Sequence, residues 1–361
     1  MDVVLPDHIS ALAEEVLWPA ADDVDRGVLP VSKQLDRLAS QGLYGAALPL
    51  QAGGLGLSEH GFRRTVEVLA GADLTAAFVW IQHQGAAKRV LRSSNEALRD
   101  RWLGDLASGR VRAGVAVGGV RPPTPTLVAR RDGSAWVLDG TIPWVTGWGL
   151  IDVVLIAARV IDDAGTGSAE QDVVWLLADA PQPVGDTTTQ IDLDVPTMTA
   201  SRFQLVALDH TRSASVQLDG HRVPGDRLVA RQGPEEWAAA DSAGLRTNGS
   251  LSLGLAERCR LLLEGEEPAL SSAIEQSRHA LDTAEVEDLP AARATAGLVA
   301  WTAAGRLLVA RGGRSVALQD SAQRLAREAM VLQVFGTRPP ITRALLEQSA
   351  AALDATVSIT G

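Results

Sequence analysis

The apolar residues of this chain of 361 residues change their spacing twice, and each spacing predicts a different kind of structure. Over residues 1–110 they recur three and four positions apart, as on the buried face of an amphipathic helix. The segment from His8 to Val24 is one such helix. Two others are predicted to start after the N-cap residues Ser58 and Asn95, and the strongly apolar stretch 74–91 predicts a helix that is covered on several sides.

Between residues 111 and 230 the spacing shortens to two, the period of a half-buried strand. Glycine, proline and aspartate separate the apolar segments, as turns do. The predicted strands are 111–117, 127–131, 135–138, 151–159, 173–178, 202–208 and 213–218. Several short strands at this spacing predict a small barrel or sandwich.

After residue 230 the helical spacing returns, and alanine and leucine dominate. The predicted helices are 234–265, 268–284, 288–311, 315–335 and 342–354. Short connections between such helices are typical of an antiparallel bundle. The whole pattern predicts an α+β protein with a helical domain over 1–110, a β-barrel-like domain over 111–230 and a helical bundle over 231–361.

The composition argues against several classes of protein. The chain carries 44 acidic and 33 basic residues, a net charge of −11, without a basic cluster, which argues against a nucleic-acid or anionic-membrane partner. No uncharged run reaches the ~18 residues of a membrane span. The first residues are acidic and lack the pattern of a signal peptide, so we expect a cytoplasmic protein. A single cysteine, Cys259, cannot form an intrachain disulfide, and no metal site is predicted.

The stretch with the most distinctive chemistry is Trp144-Val145-Thr146-Gly147-Trp148-Gly149. It follows the turn signal at Gly140 and precedes the apolar run 151–158, so it is predicted to form a tight connection between two strands. A flat tryptophan face beside a small hydroxyl group, in a turn that contains glycine, is suited to hold a flat heteroaromatic ring. From these residues alone, a core tryptophan that closes the β domain is the alternative interpretation.

Two other features have structural interpretations. The glycine-rich loop from Pro49 to Leu57 lacks both the Lys-Ser/Thr ending and the Gly-x-Gly-x-x-Gly spacing of phosphate-binding loops, so it is predicted to be a turn. His83 lies in the apolar helix with no cysteine or second histidine at ligand spacing. It is therefore predicted to be a hydrogen-bonded structural histidine.

Several short motifs occur in a recognisable order along nearly the whole chain. They are Gly42–Gly45 with Leu48-Pro49, Gly53–Leu57, Leu138–Thr141 with Trp144–Thr146, Thr211-Arg212 with Val216–Pro224, and Gln333–Gly336. In this order they resemble the acyl-CoA dehydrogenase family. The resemblance implies the same three-domain α+β architecture, with a C-terminal bundle of four-helix type and FAD between the β domain and that bundle.

The resemblance also implies where the flavin ring lies. In the family the ring stacks near residues that match Trp144, Val145 and Thr146, and the threonine hydroxyl hydrogen-bonds the N5 edge of the flavin. A second strand, matching a segment that contains Val117 and Gly118, reaches the pyrimidine side of the ring through backbone groups.

A further implied contact involves a second subunit. Gln333 and Gly336 match a motif that contacts the dinucleotide of a neighbouring subunit. The resemblance therefore implies a homodimer or homotetramer with an acyl-CoA or a related small molecule as substrate, as in fatty acid metabolism.

The general base that the family's reaction needs is missing from both positions where the resemblance places it. The usual position matches Ala355–Gly361 and the alternative matches Gly244–Arg246, and neither segment contains an acid. Asp241, one helical turn before the second position, is weighed both as a base and as a solvated acid at a helix end. Arg246 is weighed both as a ligand of a phosphate or carboxylate and as a helix-surface arginine. No catalytic residue is assigned from the sequence.

Three functions are compatible with these residues. The first is an FAD-dependent oxidoreductase of acyl-CoA dehydrogenase type. The second is a flavin-dependent monooxygenase on the same fold, which would not need the missing glutamate. The third is a non-catalytic subunit that forms a heteromer with an active homologue. The missing base favours the third function, whereas the retained Trp144 and Thr146 oppose it.

Overall fold

The computed structural model describes residues 5–121, 125–161, 171–181, 190–191 and 197–359, with the side chains of 190–191 and 352–359 outside the description. The first part of the chain is helical, as predicted. Its elements are α1 (Asp7–Ala11), a π-helical segment (Leu12–Leu17), α2 (Trp18–Asp25), α3 (Val31–Ser40), α4 (Glu59–Ala72), α5 (Leu74–Leu91) and α6 (Glu96–Ser108). As predicted, α5 is covered on several sides, and its Trp80 is fully buried.

The predicted helix starts are confirmed by their side-chain caps. The Ser58 hydroxyl accepts the N–H of Gly61 at 3.0 Å, and the Asn95 side-chain oxygen accepts the N–H of Leu98 at 3.1 Å. Each bond satisfies one of the free N–H groups at a helix N-terminus. Gly109 ends α6 in the left-handed conformation, with φ of 72°, which a residue with a Cβ rarely adopts.

The middle of the chain forms one mixed sheet. Its strands are β1 (Ala113–Ala116), β2 (Leu127–Asp132), β3 (Ala135–Val145), β4 (Val153–Val160), β5 (Val173–Asp179), β6 (Gln190–Ile191), β7 (Met198–Arg202), β8 (Ala214–Pro224) and β9 (Leu228–Gln232). Their order is β6-β7-β8-β3-β2-β4-β5-β9, with β1 added beside β4. β4 runs parallel to β1 and β2, and the other neighbouring strands are antiparallel.

Three of the strand predictions are wrong. The strand predicted to end at 138 continues through Gly140 to Val145, because Gly140, with φ of 123°, pairs with Leu127 of β2 and Leu218 of β8 instead of forming a turn. A Cβ at Gly140 would lie 2.1 Å from the carbonyl oxygen of Thr126, so only glycine fits there. The strand predicted over 202–208 ends at Arg202 as β7, and β9 was not predicted. Most of residues 162–172 and 181–190, which connect predicted strands, lie outside the described residues.

The last part of the chain is a helical bundle, as predicted. Its helices are α7 (Pro234–Ala243), α8 (Leu245–Leu262), α9 (Pro268–Thr283), α10 (Leu289–Arg311), α11 (Ser321–Val334) and α12 (Pro339–Ile359). The helix predicted over 234–265 is divided into α7 and α8 at Gly244. Residues 355–361, which match the family's usual base position and contain no acid, lie partly within α12 and partly outside the described residues.

Strands β4 and β5 are buried on both faces, whereas β7 and β8 alternate buried and exposed residues. Along β4, Val154, Ile156 and Ala158 pack into a core cluster made by the sheet itself. The alternate residues of β4 pack into a second cluster with α5 and α6. A third cluster joins the first helices to the bundle. Helix α5 contributes to the second and third clusters, so it lies between the sheet and the bundle.

Candidate functional site

A cavity of about 1190 Å³ lies where these parts meet, and we refer to it as the cleft. Its wall is formed by α4 and α5 on one side, by the ends of β1 and β3 on another, and by α7, α8 and the turn from α11 to α12 on the third. A cavity larger than about 1,000 Å³ exceeds what a drug-sized ligand needs.

Five of the seven residues predicted to contact a cofactor line this cleft. They are Val117, Gly118, Trp144, Thr146 and Gly336. Val145 is fully buried in the core of the sheet, so its side chain faces away from the cleft. This follows from the alternation of side chains along a strand, because β3 still includes Trp144 and Val145.

Gln333 is not among the residues that line the cleft of its own chain. Its side-chain amide donates a hydrogen bond to the carbonyl of Gly297 on α10. Its predicted contact with the dinucleotide of a neighbouring subunit stays a prediction, because the structure contains one chain.

The two tryptophans of the central stretch have different environments. Trp144 is 42% exposed, and Phe203 stacks on one face of its ring with 4.5 Å between the ring centroids. Trp148 is 1% exposed and belongs to the core of the sheet. The interpretation of Trp144 as a core residue is therefore wrong, and Trp148 takes that place.

Thr146 lies directly after β3 in a turn that is held from both sides. The backbone N–H of Gly147 donates to the carbonyl of Thr211 at 2.9 Å, and that of Trp148 donates to the carbonyl of Arg212 at 3.1 Å. The Thr146 side chain is 4% exposed and its oxygen lies 3.5 Å from the Ser213 hydroxyl. The turn therefore fixes a small hydroxyl group at the edge of the cleft, beside the exposed ring of Trp144.

The charges that line the cleft are mostly positive. The lining cations are Arg63, Lys88, Arg89, Arg92, Arg121, Arg246 and Arg338, and the lining acids are Glu59, Glu236 and Asp241. This excess of cations occurs in a chain whose net charge is −11. A concave surface with one sign of charge raises the local concentration of ligands of the opposite sign. The cleft is thus suited to an anionic ligand.

Asp241 is held by two arginines. Its carboxylate lies 3.0 Å from the guanidinium of Arg121 and 2.6 Å from that of Arg338, and its side chain is 13% exposed. The interpretation of Asp241 as a solvated acid is wrong, because residues 120 and 97 positions away in sequence fold over the end of α7.

The other two acids of the cleft also have partners. Glu59 lies 3.1 Å from the ammonium group of Lys88, and Glu236 accepts a hydrogen bond of 2.9 Å from the side-chain amide of Gln232. Each carboxylate that lines the cleft in the described part of the chain is therefore already engaged. None of them is placed as an unpaired general base.

Arg246 contributes to the bundle as well as to the cleft. Its guanidinium donates hydrogen bonds of 2.5 Å to the carbonyls of Leu281 and Ala284, at the C-terminal end of α9. A cation at this end stabilises a helix by satisfying its free carbonyls. The interpretation of Arg246 as a simple surface arginine is therefore incomplete, and its predicted contact with a ligand stays a prediction.

The sequence reasoning missed the basic end of α5. Arg89 lies 3.6 Å above the ring of Trp175 and donates to the side-chain oxygen of Gln232 at 3.1 Å. Burial lowers the pKa of the Arg89 guanidinium to about 10. Three cations, Lys88, Arg89 and Arg92, at the end of an otherwise apolar helix were a signal available in the sequence.

Two residues whose side chains could take part in chemistry are buried, and the structural role predicted for His83 is confirmed. His83 is 1% exposed and makes hydrogen bonds to the backbone of Leu106 and Ala113, both at 3.0 Å. Cys259 is buried, and burial raises the pKa of its thiol to about 12. Among the described residues no group of histidine, cysteine and acidic side chains is arranged to hold a metal ion. No helix in that part of the chain is long and apolar enough to cross a membrane.

The fold is α+β, and its helices and strands enclose a mostly positively charged cleft with the exposed ring of Trp144 at its edge. The family model described as acyl-CoA dehydrogenase, N-terminal domain, matches residues 4–110. The mouse very long-chain specific acyl-CoA dehydrogenase is 26% identical over 235 residues, covering 62% of this chain and 33% of the mouse protein. The (2S)-methylsuccinyl-CoA dehydrogenase of Cereibacter sphaeroides is 24% identical over 375 residues, covering 92% of this chain and 66% of that protein.

Solved structures show the same architecture over nearly the full chain. A glutaryl-coenzyme A dehydrogenase in complex with glutaryl-CoA superposes with a TM-score of 0.79 at 17% identity, covering 97% of both chains. Butyryl-CoA dehydrogenase from Megasphaera elsdenii gives a TM-score of 0.78 at 18% identity, covering 98% of this chain and all of that one. Over nearly its full length the chain therefore has the fold of these acyl-CoA dehydrogenases, and its residues 4–110 match the N-terminal domain of that family. It spans a third of the length of the mouse relative and about two thirds of the bacterial one.

Proposed function

We propose that this protein is an FAD-dependent oxidoreductase of acyl-CoA dehydrogenase type that acts on an acyl thioester or a related small molecule. The observation that carries this proposal is the pairing of an exposed tryptophan ring with a fixed hydroxyl at the edge of a positively charged cleft. Trp144 supplies the ring and Thr146 the hydroxyl. The match of residues 4–110 to the family's N-terminal domain and the names of the similar proteins, which are dehydrogenases of acyl-CoA compounds, support the same function.

The residues present fit a flavin dinucleotide. Trp144 offers the free part of its ring for stacking, and the Thr146 hydroxyl can donate a hydrogen bond to a ring nitrogen. Gly118 brings the backbone close to the cleft, since a Cβ there would lie 2.9 Å from Pro143. The lining cations suit a pyrophosphate, and a volume of about 1190 Å³ suits a ligand of dinucleotide size.

A bound flavin would supply a hydride acceptor. The role of this chain is then to orient the ring through Trp144 and Thr146 and to exclude water. Phe78 and Ile81 of α5 provide apolar surface in the opposite wall of the cleft, and Phe78 is held in place by an edge contact with Phe335, with 4.4 Å between the ring centroids. An acyl chain would bind favourably against this surface.

The acceptor of the substrate's proton is not assigned. The reaction needs a carboxylate within hydrogen-bond reach of the substrate carbon. Asp241, the acid nearest the family's alternative position, is paired with Arg121 and Arg338. Both oxygens of that carboxylate are therefore already engaged by guanidinium groups.

Neither alternative function is favoured by a specific observation. The ring-binding residues and the open cleft are retained, which opposes a purely structural subunit. The similar proteins are named as dehydrogenases, which opposes a monooxygenase. We propose a homo-oligomer, because Val309, Val316 and Leu318 leave apolar surface exposed on the bundle, outside the cleft. The cytoplasmic location stays a prediction.

The visible absorbance of the purified protein, before and after addition of FAD, tests the proposal. We expect a flavin spectrum that is bleached by one or more acyl-CoA compounds. Trp144→Ala should weaken FAD binding roughly tenfold through the loss of ring stacking, and Thr146→Val should shift the flavin absorbance. Trp301→Ala is the matched control, since Trp301 is 49% exposed on α10 and lies outside the cleft. A protein that binds no FAD at any concentration, or a Trp144→Ala variant that binds it normally, would contradict the proposal.

A further inference from the structure

Charged side chains gather at the part of the cleft where α5, the segment after β1, α7 and the start of α12 meet. We refer to them as the arginine cluster, which consists of Arg89, Arg92, Arg121 and Arg338 with Glu236 and Asp241. Electrostatic interactions connect Arg89 with Arg92, Glu236 and Asp241. Others connect Arg338 with Arg121 and Asp241. The six side chains therefore act on one another as a group.

Asp241 is the centre of this group. One oxygen of its carboxylate accepts a hydrogen bond of 3.0 Å from Arg121, and the other lies 2.6 Å from Nε of Arg338. Arg338 also donates to the backbone carbonyl of Asp241 at 3.0 Å. The exposed fractions of the side chains of Arg121 and Arg338 are 26% and 15%, so both guanidinium groups are largely removed from water.

The cluster holds more positive charge than it can pair. Its four guanidinium groups face two carboxylates, which leaves an excess of two positive charges. Nε of Arg121 and Nη1 of Arg338 are buried without a hydrogen-bond partner among the described residues. A buried donor with no partner costs free energy, and the cost is larger for a charged group. The structure thus provides both the charge and the free donors for a dianion.

We propose that the arginine cluster is a phosphate subsite, in which Asp241 holds Arg121 and Arg338 in place until a phosphate group of the ligand replaces its carboxylate. Arginine is suited to this because its planar guanidinium binds phosphate oxygens through two parallel hydrogen bonds. The inference rests on the proposed function in that the ligand occupies the same cleft. The phosphate belongs either to the dinucleotide cofactor or to the nucleotide part of an acyl-CoA thioester.

Calorimetric titration of the purified protein with inorganic pyrophosphate tests the subsite directly. Arg121→Gln and Arg338→Gln should each weaken pyrophosphate binding roughly tenfold or more, since each removes a charged hydrogen-bond donor. Asp241→Asn should strengthen binding, because it removes the competing negative charge. Arg306→Gln is the matched control, because Arg306 is an exposed arginine on α10 outside the cleft, and it should bind pyrophosphate as the original protein does.

The response of Asp241→Asn separates a subsite from a merely structural ion pair. If the carboxylate only holds the fold together, its removal loosens the two arginines and pyrophosphate binds no more tightly than before, which would overturn the inference. Unchanged binding by both arginine variants would overturn it as well. Far-UV circular dichroism identifies a variant that does not fold. Arg338→Lys then serves as a second variant, with an affinity expected between those of arginine and glutamine at this position.

Paired ligands identify the source of the phosphate. Riboflavin lacks the phosphates of FAD, and pantetheine lacks those of coenzyme A. If Arg121→Gln weakens FAD but leaves riboflavin unchanged, the subsite binds the cofactor, and the same comparison between coenzyme A and pantetheine assigns it to the thioester. No change in either comparison would contradict the inference. A protein that binds riboflavin but not pyrophosphate would contradict the phosphate subsite and leave the proposed function intact. A protein that binds pyrophosphate but no flavin would contradict the proposed function and leave the phosphate subsite intact.

Discussion

The hydrogen bonds of His83 predict a specific loss of stability at acidic pH. The backbone N–H of Ala113 donates to Nδ1 of His83, so Nδ1 carries no proton, and Nε2–H donates to the carbonyl of Leu106. The neutral ring is therefore fully satisfied. Protonation of Nδ1 would place its proton against the N–H of Ala113. These bonds attach α5, which forms one wall of the cleft, to the first residue of β1.

The size of the effect follows from the pKa of His83. Burial lowers this pKa from 6.5 to about 3, so the folded protein keeps the ring neutral while the unfolded chain binds a proton below pH 6.5. The contribution to stability is complete above about pH 7, is lost progressively as the pH falls through 6.5, and reaches its limit near pH 3. Between pH 8 and pH 5 the loss amounts to about 2 kcal/mol.

Urea denaturation between pH 8 and pH 5 measures this loss when the protein is compared with a His83→Gln variant. Glutamine keeps one donor and one acceptor but cannot be protonated, so the difference in unfolding free energy between the two proteins should change by about 2 kcal/mol over this range. His279→Gln is the matched control, since His279 is exposed on α9. A difference between the original protein and His83→Gln that stays constant with pH would refute this account of His83.

Two further predictions concern the contact between the first helices and the bundle. Gly254→Ala should reduce the free energy of unfolding by about 3 kcal/mol or more, because the new Cβ would lie 2.1 Å from the carbonyl oxygen of Glu67. Gly305→Ala is the control in the same denaturation assay. Nothing lies within 4 Å of a Cβ at this position, so the variant should be neutral or slightly stabilising. Arg278→Gln should reduce the free energy of unfolding by about 2 kcal/mol or more. The Glu67 side chain is 4% exposed, and its carboxylate would lose the hydrogen bond of 2.8 Å that Arg278 donates to it. A reduction of less than about 0.5 kcal/mol would contradict this role.

Local features of the sequence predicted the helices and their ends well. Helix α5 could be predicted from its strongly apolar sequence, and the starts of α4 and α6 from the caps at Ser58 and Asn95. The structural role of His83 followed from its position alone in that apolar helix. The strand predictions failed where the cause was not local. Gly140 looks like a turn in sequence, and only its pairing with Leu127 of β2 and Leu218 of β8 shows that it lies within a longer strand.

Some properties of the candidate site could likewise be predicted from the sequence, and others depend on contacts between distant residues. The sequence by itself determined that Trp144 and Thr146 lie close together before the turn at Gly147, because they are two residues apart in the chain. It did not determine which tryptophan is buried, that Val145 faces the core, or that Asp241 is paired with Arg121 and Arg338. Those pairs join residues 120 and 97 positions apart, and no periodicity reports such contacts. The tertiary structure alone decides them, because burial and ionic pairing depend on which distant surfaces the packing of the sheet, α7 and α12 brings together.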